Sequence, residues 1–163
     1  MRVPGVRLVL AVLVSLLLGS LSAQAQELTK AKRQEIKRFA SNNSLFVLYH
    51  EMAHLLFHQL ELPILGREED AADNMATWTL LNRPGRAADR ALADAAEGWL
   101  LSGVAYGSGN YETDFYDNHS LDKQRAYQIV CMMVGKDETA FRPIASRYRI
   151  ERDLQDSCHW DYD

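Results

Sequence analysis

Long basic runs are missing from this chain. So are repeats, low-complexity tracts and any persuasive strand pattern, and only two cysteines occur among 163 residues. Each absence narrows the reading. Without a basic run the chain has no electrostatic footprint for nucleic acid. Past the N-terminus no second long apolar stretch follows, so the remainder is expected to carry no membrane span. Without period-two alternation the domain is expected to be mainly α, with little or no sheet. The composition, 47% hydrophobic and 25% charged, is that of one modest globular domain.

The N-terminus is a different kind of segment. Arg2 and Arg7 precede an almost unbroken apolar run from Leu8 to Leu21, and Ala23-Gln24-Ala25 is an A-x-A cleavage signal. Residues 1–25 therefore read as a signal peptide and 26–163 as the working domain, exported and expected in a bacterial periplasm. The apolar run is short for an uncleaved anchor. Removing Arg2 and Arg7 takes the basic count from 18 to 16 against 22 acidic residues, a net charge of −6 with neutral histidines. In an exported protein, Cys131 and Cys158 are expected to pair rather than remain two buried thiols. Closing a loop of 27 residues contributes about 3 kcal/mol on a chain-entropy model.

Helical periodicity marks a surface helix from Glu27 to Ser41, with Asn42 and Asn43 as N-caps for a second helix from Ser44 to Leu60. That second helix is apolar on most sides, the pattern of a buried helix. Further helices are expected over Arg67–Asn82, from Pro84 towards Gly103, from Leu121 to Met133 or Val134 behind a Ser120 cap, and over Asp137–Tyr148. Tyr106 to His119 reads as a loop and the tail as irregular. Trp78, Trp99, Met132 and Met133 are core candidates.

His50-Glu51-Met52-Ala53-His54 is H-E-x-x-H. On a helix, positions i and i+4 share a face about 6 Å apart along the axis, so the two imidazoles can converge on one Zn²⁺ with Glu51 beside it as general base. A catalytic zinc needs a third protein ligand. The candidates are His58, Glu61, Glu68, Glu69, Asp70, Asp73 and His119. His58 lies about 12 Å along the axis from His50, too far for a shared ion on a straight helix. Glu69 is the better choice. It opens a second helix after a connection short enough to fold back, and Asp73 lies one turn on to accept the free ring N–H of His50. Glu68, about 100° round the helix, is expected in solvent.

These residues resemble the gluzincin arrangement of zinc peptidases, in which a later Glu is the third ligand and an Asp four residues on orients a histidine. More closely, three stretches resemble the bacterial DUF4344 family, whose members are described as metallopeptidases. They are Tyr49-His50-Glu51, Leu62-Pro63-x-Leu65-Gly66-Arg67-Glu68-Glu69-Asp70-Ala71-Ala72-Asp73, and His119-Ser120-Leu121-Asp122-x-Gln124-Arg125-x-Tyr127-x-Ile129-x-Cys131. The resemblance spans roughly residues 40 to 160. It implies a zincin-like helical domain with the H-E-x-x-H helix packed on a second ligand-bearing helix. One departure stands out: classical zincins place a sheet before that helix, whereas the few residues here read as helical.

The expected reaction is zinc-assisted hydrolysis of an amide in a peptide or protein substrate. His119 is the first candidate to stabilise the oxyanion, with Tyr106, Tyr111 and Tyr116 as alternatives. Asp122 and Arg125 read as an i, i+3 ion pair, or Arg125 binds a substrate carboxylate. His159 is expected to stand apart from the metal. A zinc-stabilised periplasmic binding protein without turnover is the alternative from another class, and a zinc amidase acting on a small exported substrate is a third reading.

Overall fold

The computed structural model describes residues 28–163; the expected signal peptide over 1–25 lies outside the described residues. The chain divides into two units, Met1–Arg33 and Gln34–Asp163. Of the first, residues 28–33 open a helix, where the Lys32 N–H donates to Thr29 Oγ1 at 3.2 Å. The fold is mainly α, with no strand among the described residues. Its elements are α1 (Lys30–Gln59), α2 (Glu68–Leu81), α3 (Arg86–Tyr106), a 3₁₀ turn (Glu112–Phe115), α4 (Asp122–Lys136), α5 (Glu138–Arg147), α6 (Arg152–Ser157) and α7 (His159–Tyr162).

The two expected N-terminal helices are one. Asn42 and Asn43 do not cap; their side chains turn sideways to α3. Asn42 Nδ2 donates to Asp94 Oδ2 at 2.6 Å, and Asn43 Nδ2 donates to the carbonyls of Phe39 and Asp94. Arg38 joins the same carboxylate at 3.2 Å. Gly98, one turn beyond Asp94, leaves room for the Asn43 side-chain amide, which a Cβ there would displace. Partners in the fold thus absorb groups that would otherwise have started a new helix.

Nor is α1 the buried helix. It inserts only Phe46, His50, Ala53 and Phe57, while Leu48, Met52, Leu55 and Leu56 stay exposed. The central helix is α4, which buries Ala126, Ile129, Val130, Met132, Met133 and Val134 and packs against α2, α3, α5 and α7. An alanine-rich face of α3 (Ala88, Ala91, Ala95, Ala96) lets its neighbours approach closely. Trp78 is 48% exposed, contrary to expectation, while Trp99 packs on the core. The helix α3 starts at Arg86 behind a Gly85 N-cap, so Pro84 precedes it rather than lying in its first turn, and the helix runs a turn further than expected.

The tail is not irregular. Short helices α6 and α7 lie on the core, tied to α4 by the Cys131–Cys158 disulfide. Gly135 permits this seat: a Cβ there would overlap the Cys158 carbonyl oxygen.

A second, smaller apolar cluster sits where α1 meets the start of α2. Ala53, Phe57 and Ala72 are buried there, with Ile64, Ala71 and Met75 around them. Ala53 and Ala72 are 1% and 0% exposed. Small side chains at this crossing let the two helices draw close enough for polar residues beside them to meet.

Candidate metal centre

His50 and His54 project from α1 and Glu69 from the first turn of α2. His50 Nε2 lies 3.1 Å from His54 Nε2 and 3.1 Å from Glu69 Oε2. His54 Nε2 lies 3.3 Å from the same oxygen. The three donor atoms therefore form a nearly equilateral triangle. A tetrahedral ion with ligand distances of about 2.0–2.1 Å separates its ligands by about 3.3 Å. Two imidazoles and a carboxylate with these separations fit a zinc-sized cation by donor chemistry and by spacing.

Each histidine is held from behind. His50 Nδ1 donates to Asp73 Oδ1 at 2.8 Å, as the helical spacing predicts. His54 Nδ1 meets Glu68 Oε1 at 2.8 Å, which the sequence reading missed by sending Glu68 to solvent. Glu68 stands at the first position of α2, beside the C-terminal half of α1. Its long side chain spans the angle that the helical wheel puts between it and Glu69. In both rings the Nδ1 contact leaves Nε2 facing the triangle.

The electrostatics follow from these contacts. Burial opposes the charged form of His54, but the Glu68 and Glu69 carboxylates outweigh it and raise its pKa. The hydrogen bond from His54 lowers the pKa of Glu68. Burial alone would raise Asp73; hydrogen bonds from His50 and Arg125 reverse that and hold it below the usual carboxylate range.

His119 arrives from the loop before α4, and its Nε2 lies 2.9 Å from Glu69 Oε2. Its Nδ1 and backbone N–H both face Asp117 Oδ1, at 3.0 and 2.8 Å. Those bonds, the backbone one first, depress the pKa of Asp117. The segment is latched to α2. Arg67 donates to the His119 carbonyl at 3.1 Å, and Ser120 Oγ donates to Asp70 Oδ2 at 2.8 Å. Ser120 is thus a strap between elements rather than the expected cap. Leu121 holds the N-cap position, its N–H donating to the Gln124 side chain at 3.0 Å.

Glu51 is exposed and lines the same cavity, of about 960 Å³, as His50, His54, Glu69, Tyr116 and His119. A smaller cavity of about 280 Å³ adjoins it across Asp117 and His119 and carries Tyr106. Tyr111 lines neither. His58 is three-quarters exposed; it lines the edge of the same cavity as Glu51, and its Nε2 lies 3.5 Å from Glu68 Oε1, the oxygen that faces His54, outside the donor triangle. His159 bonds to the Asp156 carbonyl in the tail.

The expected Asp122–Arg125 pair does not form. Arg125 turns inward and grips Asp73, with Nε to Oδ2 at 2.6 Å and Nη2 to Oδ1 at 2.9 Å. Its guanidinium carbon lies 3.5 Å from the centre of the Trp99 ring. Arg125 is 8% exposed. The same contacts disfavour the alternative of binding a substrate carboxylate, since Nε and Nη2 are already committed to Asp73.

A helix-borne H-E-x-x-H, met by a Glu and an Asp one turn apart on the next helix, defines a candidate metal centre of the metallopeptidase class. The chain belongs to the DUF4344 family, described as "Putative metallopeptidase", whose model matches residues 12–163. Comparison with curated proteins and with solved structures gives no match.

Proposed function

We propose that this protein is an exported zinc-dependent metallopeptidase, with one Zn²⁺ held by His50, His54 and Glu69. The observation that carries the proposal is the triangle of donor atoms 3.1 to 3.3 Å apart, with Glu51 on the wall of the same cavity. Bound zinc supplies Lewis-acid chemistry, acidifying water and polarising a carbonyl.

The chain's own residues do the rest. Glu51 accepts a proton from the attacking water as its oxygen bonds to the amide carbon. Glu51 then passes that proton to the departing amine as the C–N bond breaks. His119 supports the developing charge on the carbonyl oxygen. Its Nε2 faces Glu69 and its Nδ1 faces Asp117. Asp117 fixes the ring. Asp73 and Glu68 keep the two zinc histidines in one tautomer.

Export rests on the Arg2/Arg7, apolar-run and A-x-A pattern. The Cys131–Cys158 bridge suits the same oxidising compartment. No helix among the described residues is long and apolar enough to cross a membrane.

One observation favours a second reading, a zinc-stabilised periplasmic binding protein. No strand among the described residues flanks the cavity for an extended peptide to pair with. Zinc content and turnover separate the two. The peptidase is expected to hold about one zinc and to cleave an unfolded protein substrate, with Glu51→Gln keeping the metal and losing the cleavage. Zinc without cleavage by the wild type supports the binding protein. A wild type that takes up no zinc overturns both.

A further inference from the structure

Arg125 and Trp99 have no place in the chemistry above, yet both are bound into it. Asp73 uses Oδ1 for His50 Nδ1 and for Arg125 Nη2, and Oδ2 for Arg125 Nε. The fork therefore grips both oxygens and fixes the plane of the carboxylate. Rotation about the last torsion of an aspartate is otherwise soft. Holding that plane aims Oδ1 at His50. Trp99 then holds the plane of the fork, with its ring against the guanidinium. Asp73 and Arg125 are 4% and 8% exposed, so little water competes for either.

We infer that Arg125 is a positioning residue for the metal, acting through Asp73 on His50, and that Trp99 positions Arg125 in turn. The series runs Trp99 on α3, Arg125 on α4, Asp73 on α2, His50 on α1, so α1 to α4 contribute one member each. It explains an arginine buried in the middle of the domain when its own helix offers Asp122 one turn away. It also demands arginine: an ammonium is a point charge and cannot grip two oxygens in a plane.

This inference rests on the proposed metal centre, and the experiment separates the two. Zinc affinity of the whole protein is measured by competition with a chromogenic chelator. The visible spectrum of the Co²⁺-loaded protein reports the ligand geometry. Arg125→Lys, which keeps the charge, is expected to weaken zinc by about 10-fold or more and to alter the Co²⁺ spectrum. In an Asp73→Asn background the same change is expected to cost less than about 2-fold, because the path to His50 is already cut. Trp99→Leu is expected to weaken zinc by several-fold and to add nothing once Arg125 is Lys. Wild-type zinc affinity in Arg125→Lys overturns the inference, as does an equal loss in both backgrounds, which would mark a general structural role. Should Arg125→Lys fail to fold, Trp99→Leu carries the test, and unchanged affinity there overturns it. A wild type without zinc instead removes the metal centre itself.

Discussion

Asp73 and Glu68 perform one task in two settings, and their unequal burial predicts unequal consequences. Each presents a carboxylate oxygen 2.8 Å from the Nδ1 of a histidine of the proposed metal centre. The Asp73 side chain is 6% exposed, whereas that of Glu68 is 40% exposed. Removing a carboxylate behind a metal histidine costs roughly 10- to 100-fold in metal affinity. Asp73→Asn is expected at the upper end, about 100-fold or about 2.7 kcal/mol, because little water screens its charge. Glu68→Gln is expected to cost less than about 10-fold, and less again in high salt, since exposed pairs are screened. A second readout follows from Arg125. Asp73→Asn leaves a buried guanidinium without its counter-charge and should lower fold stability by about 3 kcal/mol or more, whereas Glu68→Gln leaves the melting temperature nearly unchanged. Chelator competition at low and high salt, with thermal melts of the metal-free proteins, measures both. Equal zinc losses for the two variants, or a salt-insensitive Glu68→Gln, would refute the assignment of their roles.

Other expectations concern the scaffold. Replacing both Cys131 and Cys158 by Ala should lower stability by about 3 kcal/mol while leaving zinc affinity unchanged, because the bridge closes its loop on the tail side of α4. Denaturant midpoints with and without reductant measure this. The buried Tyr148 hydroxyl is pushed above its usual pKa by burial and by Glu97, to which it donates at 3.4 Å. A raised folded-state pKa favours the protonated form. Its contribution is fully present below the unfolded value near 10 and is lost as pH rises towards the folded one. Alkaline melts of the wild type should therefore fall above about pH 10 more steeply than those of Tyr148→Phe.

The four residues of the candidate centre were legible because they obey one rule, helical spacing. His50 and His54 on α1, and Glu69 and Asp73 on α2, each lie one turn apart, and the structure brings all four together. The cysteine pairing followed from compartment and number. What stayed hidden depends on partners from distant sequence. Asn42 and Asn43 looked like caps because nothing local reveals Asp94. The apolar run of α1 looked buried because hydrophobicity does not say which faces find a neighbour; α4 took the centre instead. Arg125 looked paired within its helix, since Asp73 and Trp99 lie far away in sequence. Glu68 was sent to solvent by a wheel that measures angles and ignores side-chain length. Arg67, Asp70 and Asp73, spaced by threes from the N-cap of α2, were the available clue that this helix also grips the α4 segment.

The Ala53–Ala72 crossing has a consequence of its own. Two buried methyl groups that carry no donor atom stand at the crossing beside the donor triangle. A bulkier residue at either position would wedge the helices apart and widen the triangle without altering a single donor. In the proposed centre, preference for a small ion over a larger one of the same charge would then rest on hydrocarbon, at a place where inspection of the ligands alone would never look.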